Sequence, residues 1–157
     1  MTKNKHNVAI IELGYVGLPL LCQFSKTFDC FGLDFDKKRI EELSMGEDIK
    51  RCVPIENLKS VNTDNLTTDW NYISGCEYFI VADPTPISSD KRPDISALKD
   101  ISANLGRVIR PGAIIFFEST VSPGTTEEVC ADIIEEVSGL KLNQGSLVDT
   151  NERLSIN

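Results

Sequence analysis

The fold is decided near the N-terminus by residues 7–20, which read NVAIIELGYVGLPL. The apolar run VAIIEL has the length of a buried strand, and Gly14 and Gly17 follow it in a turn. A helix is predicted to begin at Gly17, because Pro19 is tolerated only within a first turn, where its missing N–H is not needed. The stretch therefore predicts a strand, a tight turn and a helix, with Glu12 as an unexpected residue at the turn.

Strand and helix patterns alternate along the rest of the chain. Further strands are predicted for CFGLDF, CEYFIVA and AIIFFES, with AIIFFES, the most apolar, expected to be central, and SLVDTNERLSIN is predicted to begin as a fifth strand. Helices are predicted over residues 17–27, 36–46, 94–109 and 125–139, and residues 47–69 as loops and short pieces. This alternation is typical of a parallel sheet covered by helices. We predict an α/β fold, a Rossmann-like doubly wound parallel sheet, with no linker to a second domain.

Several local features accompany this pattern. Asp94 is expected to cap its helix, and Gly46 and Gly139 to end theirs. One apolar face of the last helix is predicted to consist of Val129, Ile133, Ile134 and Val137. Cys22 and Cys130 are expected in the core, and His6 is expected to be an exposed bystander.

Composition excludes several classes of function. A formal charge of −8 over 157 residues argues against nucleic acid and against a membrane surface as partners. The five cysteines lack any CxxC spacing, which indicates neither a metal site nor a disulfide framework and favours a reducing, cytoplasmic setting. No stretch approaches the roughly 18 to 20 apolar residues that span a bilayer.

The glycines of the turn indicate a ligand. In a dinucleotide-binding turn the first glycine makes the bend, the second lets the backbone approach the pyrophosphate, and the third lets helix and strand pack closely. Glu12 stands at the first position, and Gly14 and Gly17 supply the other two. Asp34 lies 20 residues after Gly14, where an acid accepts ribose hydroxyls and favours NAD over NADP. The alternative from these residues is a strand-to-helix turn without a ligand.

Five blocks give the chain a more specific signature: ELGYVGLPL, GLDFDKKRIEEL, PTPI followed by RPDISAL, ESTVSPGTTEEVC and NERLSIN. In this order and spacing they resemble the UDP-glucose/GDP-mannose dehydrogenase family. The likeness is greatest to bacterial enzymes that oxidise UDP-N-acetylhexosamines to uronic acids for surface polysaccharides. The resemblance covers nearly the whole chain, and it implies an oxidoreductase ancestry and NAD as the cofactor.

The resemblance also implies roles for individual residues. The cofactor contacts that it implies are Gly14, Tyr15, Val16, Gly17, Asp34, Arg39, Thr85 and Thr120. Thr120, near the nicotinamide, and Glu152 would help to position a water during the second oxidation, and Arg153 would lie on the substrate side. Two plain alternatives stay open: Thr120 satisfies a loop at a strand end, and Arg39 is one charge on a solvated helix face.

Departures from the family pattern define what we expect of this chain. The catalytic cysteine and lysine of the family, its central dimerising helices and its C-terminal UDP-sugar domain lie beyond residue 157. Residues 1–157 are therefore expected to be a truncated, NAD-binding N-terminal domain that is catalytically impaired and meets a UDP-sugar only with a complementary C-terminal chain. Glu12 is expected to weaken NAD binding, and Asp83 replaces an apolar residue. The alternatives are the NAD-binding half of a split dehydrogenase and a non-enzymatic NAD-binding or regulatory module.

Overall fold

The computed structural model describes residues 4–84, 89–91, 94–118, 125–144 and 152–156. Its strands are β1 (Asn4–Ile11), β2 (Phe28–Leu33), β3 (Leu66–Thr67), β4 (Tyr78–Val81), β5 (Ile114–Phe117), β6 (Leu142–Gln144) and β7 (Glu152–Ile156). Its α-helices are α1 (Gly17–Phe24), α2 (Lys37–Ser44), α3 (Ser96–Val108) and α4 (Thr125–Ser138). Short 3-10 helices lie at Ile55–Ser60, Thr63–Asn65 and Trp70–Ile73, within and just after the region predicted as loops and short pieces.

The sheet has the order β3-β2-β1-β4-β5-β7-β6. The first five strands run parallel, as the alternating pattern predicts. Ile11 at the end of β1 pairs with Leu33 of β2 and Val81 of β4, so the carboxyl ends of these three strands meet at one edge. Such an edge is where open α/β sheets bind their ligands.

Strand β7 departs from the parallel pattern, because it runs antiparallel to both β5 and β6. The connection from β6 to β7 is residues 145–151, which is shorter than the dozen or more residues that a crossover to a parallel neighbour needs. The predicted fifth strand, at the beginning of SLVDTNERLSIN, lies outside the described residues, and β7 covers Glu152–Ile156 at the end of that stretch, where no strand was predicted.

Two apolar layers cover the faces of the sheet. Val8 and Ile10 point to the layer formed with α1 and α2, whereas Ala9 and Ile11 point to the layer formed with α3 and α4. The alternation along β1 follows from the two-residue period of a strand. The sheet is thus doubly wound, with its helices on opposite faces.

Strand β5 is interior but not central, which corrects the prediction from its apolar sequence. The middle of the sheet is β4, and β5 lies between β4 and β7. Ile115 and Phe117 are buried under the helices, whereas Ile114 and Phe116 are half-buried. Apolarity indicated burial correctly, but it did not reveal that only one face of β5 is fully covered.

The buried stripe of α4 also differs from the prediction. Its buried residues are Cys130, Ala131 and Ile134, whereas Val137 is 39% exposed. At Gly106 of α3 a Cβ would lie 2.8 Å from Cβ of Val137 and 3.2 Å from the Ile134 carbonyl oxygen, so Val137 faces α3 although it is partly exposed. Of the predicted face, Ile134 is therefore buried and Val137 lies at its edge.

Helix ends agree with the predicted signals in most places. Gly46 and Gly139 have φ of 78° and 71°, the left-handed conformation that stops a helix. Asp94 lies one residue before the N-cap position Ile95, and its Oδ1 accepts hydrogen bonds from the Ser96 N–H and Oγ–H. Asp36 caps α2 by accepting from the Lys38 N–H.

Candidate functional site

The turn after β1 holds Glu12 in an unusual backbone conformation. Its φ is 73°, in the left-handed region that costs an ordinary residue on the order of 1 kcal/mol. Its N–H donates to the Leu33 carbonyl at 2.8 Å, so the neighbouring strand holds the residue in place. This is the position where the dinucleotide pattern carries glycine, and the structure retains the bend without it.

Gly17 provides the closest approach in the turn. A Cβ on Gly17 would lie 1.7 Å from the Glu12 carbonyl oxygen and 3.3 Å from Cβ of Ala82. No side chain fits in that space, so α1 begins directly against the ends of β1 and β4. The packing role that the sequence predicts for the third glycine is confirmed.

Gly14 faces open space, since a Cβ there would meet nothing within 4 Å. The N-cap position of α1 is Val16, which makes no side-chain capping bond, and the first turn contains no acidic residue. A helix N-terminus of this kind presents backbone N–H groups and a positive dipole end to an anion. The backbone shape of the turn therefore fits a pyrophosphate.

Tyr15 and Val16 lie on the open side of this turn. They are 75% and 49% exposed, which is unusual for large apolar side chains. The Tyr15 hydroxyl donates to the Lys50 carbonyl at 3.5 Å, so this side chain reaches from the turn before α1 to the loop after α2. Their contact with a cofactor stays a prediction.

Asp34 holds the turn together at the end of β2. It is buried, and its Oδ2 accepts from the Leu13 N–H and its Oδ1 from the Asp36 N–H, both at 2.9 Å. A carboxylate has about four acceptor positions, so these two bonds leave capacity for a ribose hydroxyl. That contact stays a prediction.

Arg39 is buried, which makes the alternative of a solvated helix-face charge wrong. Its Nε donates to the Leu13 carbonyl at 2.9 Å, and its Nη1 donates to Glu42 and, at 2.7 Å, to Asp48. Burial alone would lower the pKa of Arg39, but the bonds to the two carboxylates raise it. The residue connects the turn to α2 and the following loop, and its contact with a ribose stays a prediction.

Acidic groups collect at the ends of three neighbouring strands. Burial, followed by the charges of Asp34 and Asp83, raises the pKa of Glu12 to about 7, against a smaller opposing effect of Lys50. Asp83 after β4 is 7% exposed, and burial and the charge of Asp94 raise its pKa. Among the described residues its Oδ2 has no hydrogen-bond partner. Negative charge at the turn thus opposes the binding of a pyrophosphate, although the backbone of the turn has the shape to accept one.

Sequence reasoning noted Glu12 and Asp83 separately and missed that they act on each other. The strand register brings them together, since the Ala82 N–H donates to the Ile11 carbonyl at 3.0 Å. Each follows directly after a predicted buried strand, and parallel strands end at one edge of the sheet. That shared position could have indicated that the two side chains lie close together.

The remaining predicted site residues are only partly placed. Thr85 and Thr120 lie outside the described residues. The backbone of Glu152 pairs with Phe117, and that of Arg153 pairs with Phe116, so both flank β5. Their water-positioning and substrate roles stay predictions.

Other predicted and candidate groups have plainer settings. Cys22 and Cys130 are buried, as predicted. His6 is exposed, as predicted, and its Nδ1 lies 2.9 Å from Oε2 of Glu77 while its ring contacts Tyr78 edge-on. Within the described ranges, no three His, Cys, Asp or Glu side chains are placed to hold a metal ion. None of the helices in those ranges has the length and apolarity to cross a membrane.

Comparison with known proteins gives this arrangement a family context. Residues 6–156 match the NAD-binding domain of the UDP-glucose/GDP-mannose dehydrogenase family. UDP-N-acetyl-D-glucosamine 6-dehydrogenase of Salmonella typhi is 42% identical over 137 residues, which are 87% of this chain and 32% of that protein. Protein CapL of Staphylococcus aureus is 35% identical over 162 aligned residues, 95% of this chain and 38% of CapL.

A solved structure shows the same likeness in three dimensions. NDP-N-acetyl-D-galactosaminuronic acid dehydrogenase of Methanosarcina mazei Go1 superposes with a TM-score of 0.75 and 31% identity. The match covers 87% of this chain and 32% of that one. This chain therefore spans about a third of the length of the relatives that it matches.

Proposed function

Because this chain belongs to the UDP-glucose/GDP-mannose dehydrogenase family and carries its NAD-binding domain, we propose that it is the cofactor-binding part of a UDP-N-acetylhexosamine 6-dehydrogenase. The observation that carries the proposal is the turn itself, with open space at Gly14, close packing at Gly17 and the uncapped N-terminus of α1. The names of the Salmonella typhi and Methanosarcina mazei relatives support an N-acetylhexosamine as the sugar. The resemblance of the five sequence blocks supports a place in surface polysaccharide biosynthesis.

The residues of the turn bind and orient the dinucleotide. NAD, when bound, supplies the hydride acceptor for alcohol oxidation. Backbone N–H groups at the start of α1 hold the pyrophosphate, and the space at Gly14 lets the backbone approach it. Asp34 accepts the ribose hydroxyls and repels the 2′-phosphate of NADP. Thr120, Glu152 and Arg153 act towards the sugar in this proposal, as the family resemblance implies.

These 157 residues do not complete the oxidation by themselves in our proposal. Thiolate catalysis needs a cysteine with a lowered pKa, usually beside a cation or a helix N-terminus. Burial instead raises the thiol pKa of Cys22, Cys52 and Cys130, and that of Cys76 to about 12. In this proposal a UDP-sugar is a partner only together with a complementary C-terminal polypeptide, as the family resemblance implies, and five cysteines without a disulfide support a reducing, cytoplasmic setting.

A non-enzymatic NAD-binding or regulatory module is the second candidate. The observation that favours it is the acidic turn, where Glu12 and Asp83 oppose the phosphates without destroying the fold. The NAD-binding half of a split dehydrogenase is the third. Co-expression with the remaining two thirds of a relative separates these candidates, since only a split enzyme gains activity.

Calorimetric titration with NAD and NADP tests the cofactor assignment. At about pH 8, where Glu12 of the free chain is mostly ionised, we expect weak NAD binding by the unmodified chain and roughly tenfold tighter binding by Glu12→Gly, because a carboxylate near two phosphates costs on the order of 1 kcal/mol or more. NADP is expected to bind more weakly than NAD to both forms. Tight binding by the unmodified chain would refute the effect of Glu12, and no binding by either form would refute NAD binding by the isolated chain.

Absorbance of NADH tests the catalytic part of the proposal. With UDP-N-acetylglucosamine and excess NAD, we expect neither NADH nor a uronic acid from these 157 residues, because four of the five thiols are buried and burial raises the pKa of the half-buried fifth, Cys52. The full-length Salmonella typhi relative, assayed in parallel, serves as the positive control. Substrate-dependent NADH formation by the chain alone would contradict the proposal.

A further inference from the structure

The ends of β1, β2 and β4 bring Glu12, Asp34 and Asp83 together beside the start of α1. Glu12 is held there by its left-handed backbone, by the N–H bond to Leu33 and by the contact of its carbonyl with Gly17. Asp83 contributes a buried carboxylate oxygen that has no partner among the described residues. The turn whose backbone fits a pyrophosphate therefore contains a residue that can be either neutral or negatively charged.

We propose that Glu12 is a proton-operated gate on the turn between β1 and α1 (residues 12–17), which we call the phosphate turn. Its neutral carboxyl admits the pyrophosphate, and its carboxylate repels it. The inference rests on the proposed binding of NAD at this turn and describes how that binding is regulated. It concerns a residue that stands where the dinucleotide pattern requires glycine, so it is a property of this chain's own sequence.

The charged groups around Glu12 determine the direction of the gate. Asp34 at the end of β2 and Asp83 at the end of β4 both disfavour its carboxylate, and Lys50 of the loop after α2 favours it more weakly. Arg39 does not offset the acids, because its guanidinium is bonded to the Leu13 carbonyl, Glu42 and Asp48. The first turn of α1 contains no acid that would compete with a phosphate. Protonation of Glu12 thus removes one negative charge from the turn that precedes α1.

Proton linkage gives the size of the effect. The pKa of Glu12 is about 7 in the free chain, and two phosphate charges beside it raise that pKa further in the complex. Binding therefore takes up protons, and NAD affinity falls as the pH rises through the pKa of the free chain. Between about pH 6 and about pH 8 the expected decrease is roughly five- to tenfold, with tenfold as the limit for one group whose pKa in the free chain is about 7.

Calorimetric titration with NAD at about pH 6 and about pH 8 tests the gate in three forms of the full 157-residue chain: unmodified, Glu12→Gln and Glu12→Gly. Gln keeps the size and backbone strain of Glu but cannot ionise, so it is the matched control. We expect a roughly five- to tenfold loss of affinity for the unmodified chain and less than about twofold for Glu12→Gln. Repeating the titration near pH 7 in buffers of different ionisation enthalpy should show uptake of roughly half a proton per NAD, absent in Glu12→Gln.

The outcomes separate this inference from the proposed function. Equal affinity of the unmodified chain at both pH values, or the same pH dependence in Glu12→Gln, overturns the gate but leaves NAD binding in place. Failure of the unmodified chain to bind at about pH 6 while Glu12→Gln binds there also overturns it. No binding by any of the three forms, with folding confirmed by circular dichroism, overturns the proposed function and the gate together.

Discussion

At the scale of single residues, the turn after β1 contains two glycines with opposite structural demands. Gly17 is surrounded so tightly that its hydrogen touches the Glu12 carbonyl, whereas Gly14 borders empty space. Glu12 shows that the bend itself does not require glycine, because Leu33 holds the left-handed residue in place. The pattern of glycines thus separates into one position needed for folding and one position open to a ligand.

Substitution of each glycine by alanine tests this separation. Gly17→Ala would place a Cβ 1.7 Å from the Glu12 carbonyl oxygen, so we expect destabilisation of about 3 kcal/mol or more in urea unfolding. Gly14→Ala, the matched control, is expected to change the free energy of unfolding by less than about 1 kcal/mol and to weaken NAD binding. Equal stability of the two variants would contradict the close approach at Gly17.

At the scale of elements, Arg39 ties three segments into one unit. Its guanidinium bonds to the turn after β1 through the Leu13 carbonyl, to α2 through Glu42 and to the following loop through Asp48. Asp48 also accepts from the Val53 N–H at 3.0 Å, and although burial opposes it, these hydrogen bonds lower the pKa of Asp48. The positions of α2 and of the following loop beside the phosphate turn therefore depend on one buried side chain, that of Arg39.

Replacement of Arg39 by methionine should reveal that dependence. Two carboxylates would remain partly buried without a cation, which costs about 3 to 5 kcal/mol in comparable cases. Lys37→Met on the same helix is the control, since its ion pair with Glu41 is exposed and contributes at most about 1 kcal/mol. Urea unfolding of both variants gives the comparison, and a loss in Arg39→Met no larger than that of the control would contradict the structural role.

At the scale of the whole molecule, none of the five cysteines, all of which lie in the described ranges, forms a disulfide, and four are buried in the two apolar layers. Cys52, beside the Arg39 Nη2 at 3.5 Å, is half-buried. The buried thiols become accessible only when the sheet and its helices separate. Their chemistry therefore reports on global unfolding and not on a local reactive site.

Labelling with a thiol reagent tests this distribution. At neutral pH we expect at most one thiol, Cys52, to react slowly in the folded chain. Burial shields the sulfur atoms of the other four cysteines, and it raises the thiol pKa of Cys22, Cys76 and Cys130. All five should react once the chain is unfolded in denaturant. Cys52→Ala, labelled under the same conditions, identifies the early thiol. Rapid native labelling at two or more sites would contradict the buried arrangement.

Local patterns were sufficient to predict the α/β class, the positions of the four α-helices and the packing role of the third glycine, Gly17. Period-two and helical periodicities, proline in a first turn and glycine at helix ends depend on backbone sterics, which a sequence expresses directly. The five ordered blocks likewise predicted the family that the match over residues 6–156 confirms.

Tertiary structure decided the features that depend on which strands become neighbours. The antiparallel β7, the half-covered face of β5 and the buried setting of Arg39 follow from packing between segments far apart in the chain. The meeting of Glu12 with Asp83 is the clearest case, because 70 residues separate them and only the pairing of β1 with β4 makes their charges interact. The sequence by itself predicted which residues bind a phosphate. The strand order decided how much negative charge opposes that binding, because it determines which acidic side chains become neighbours.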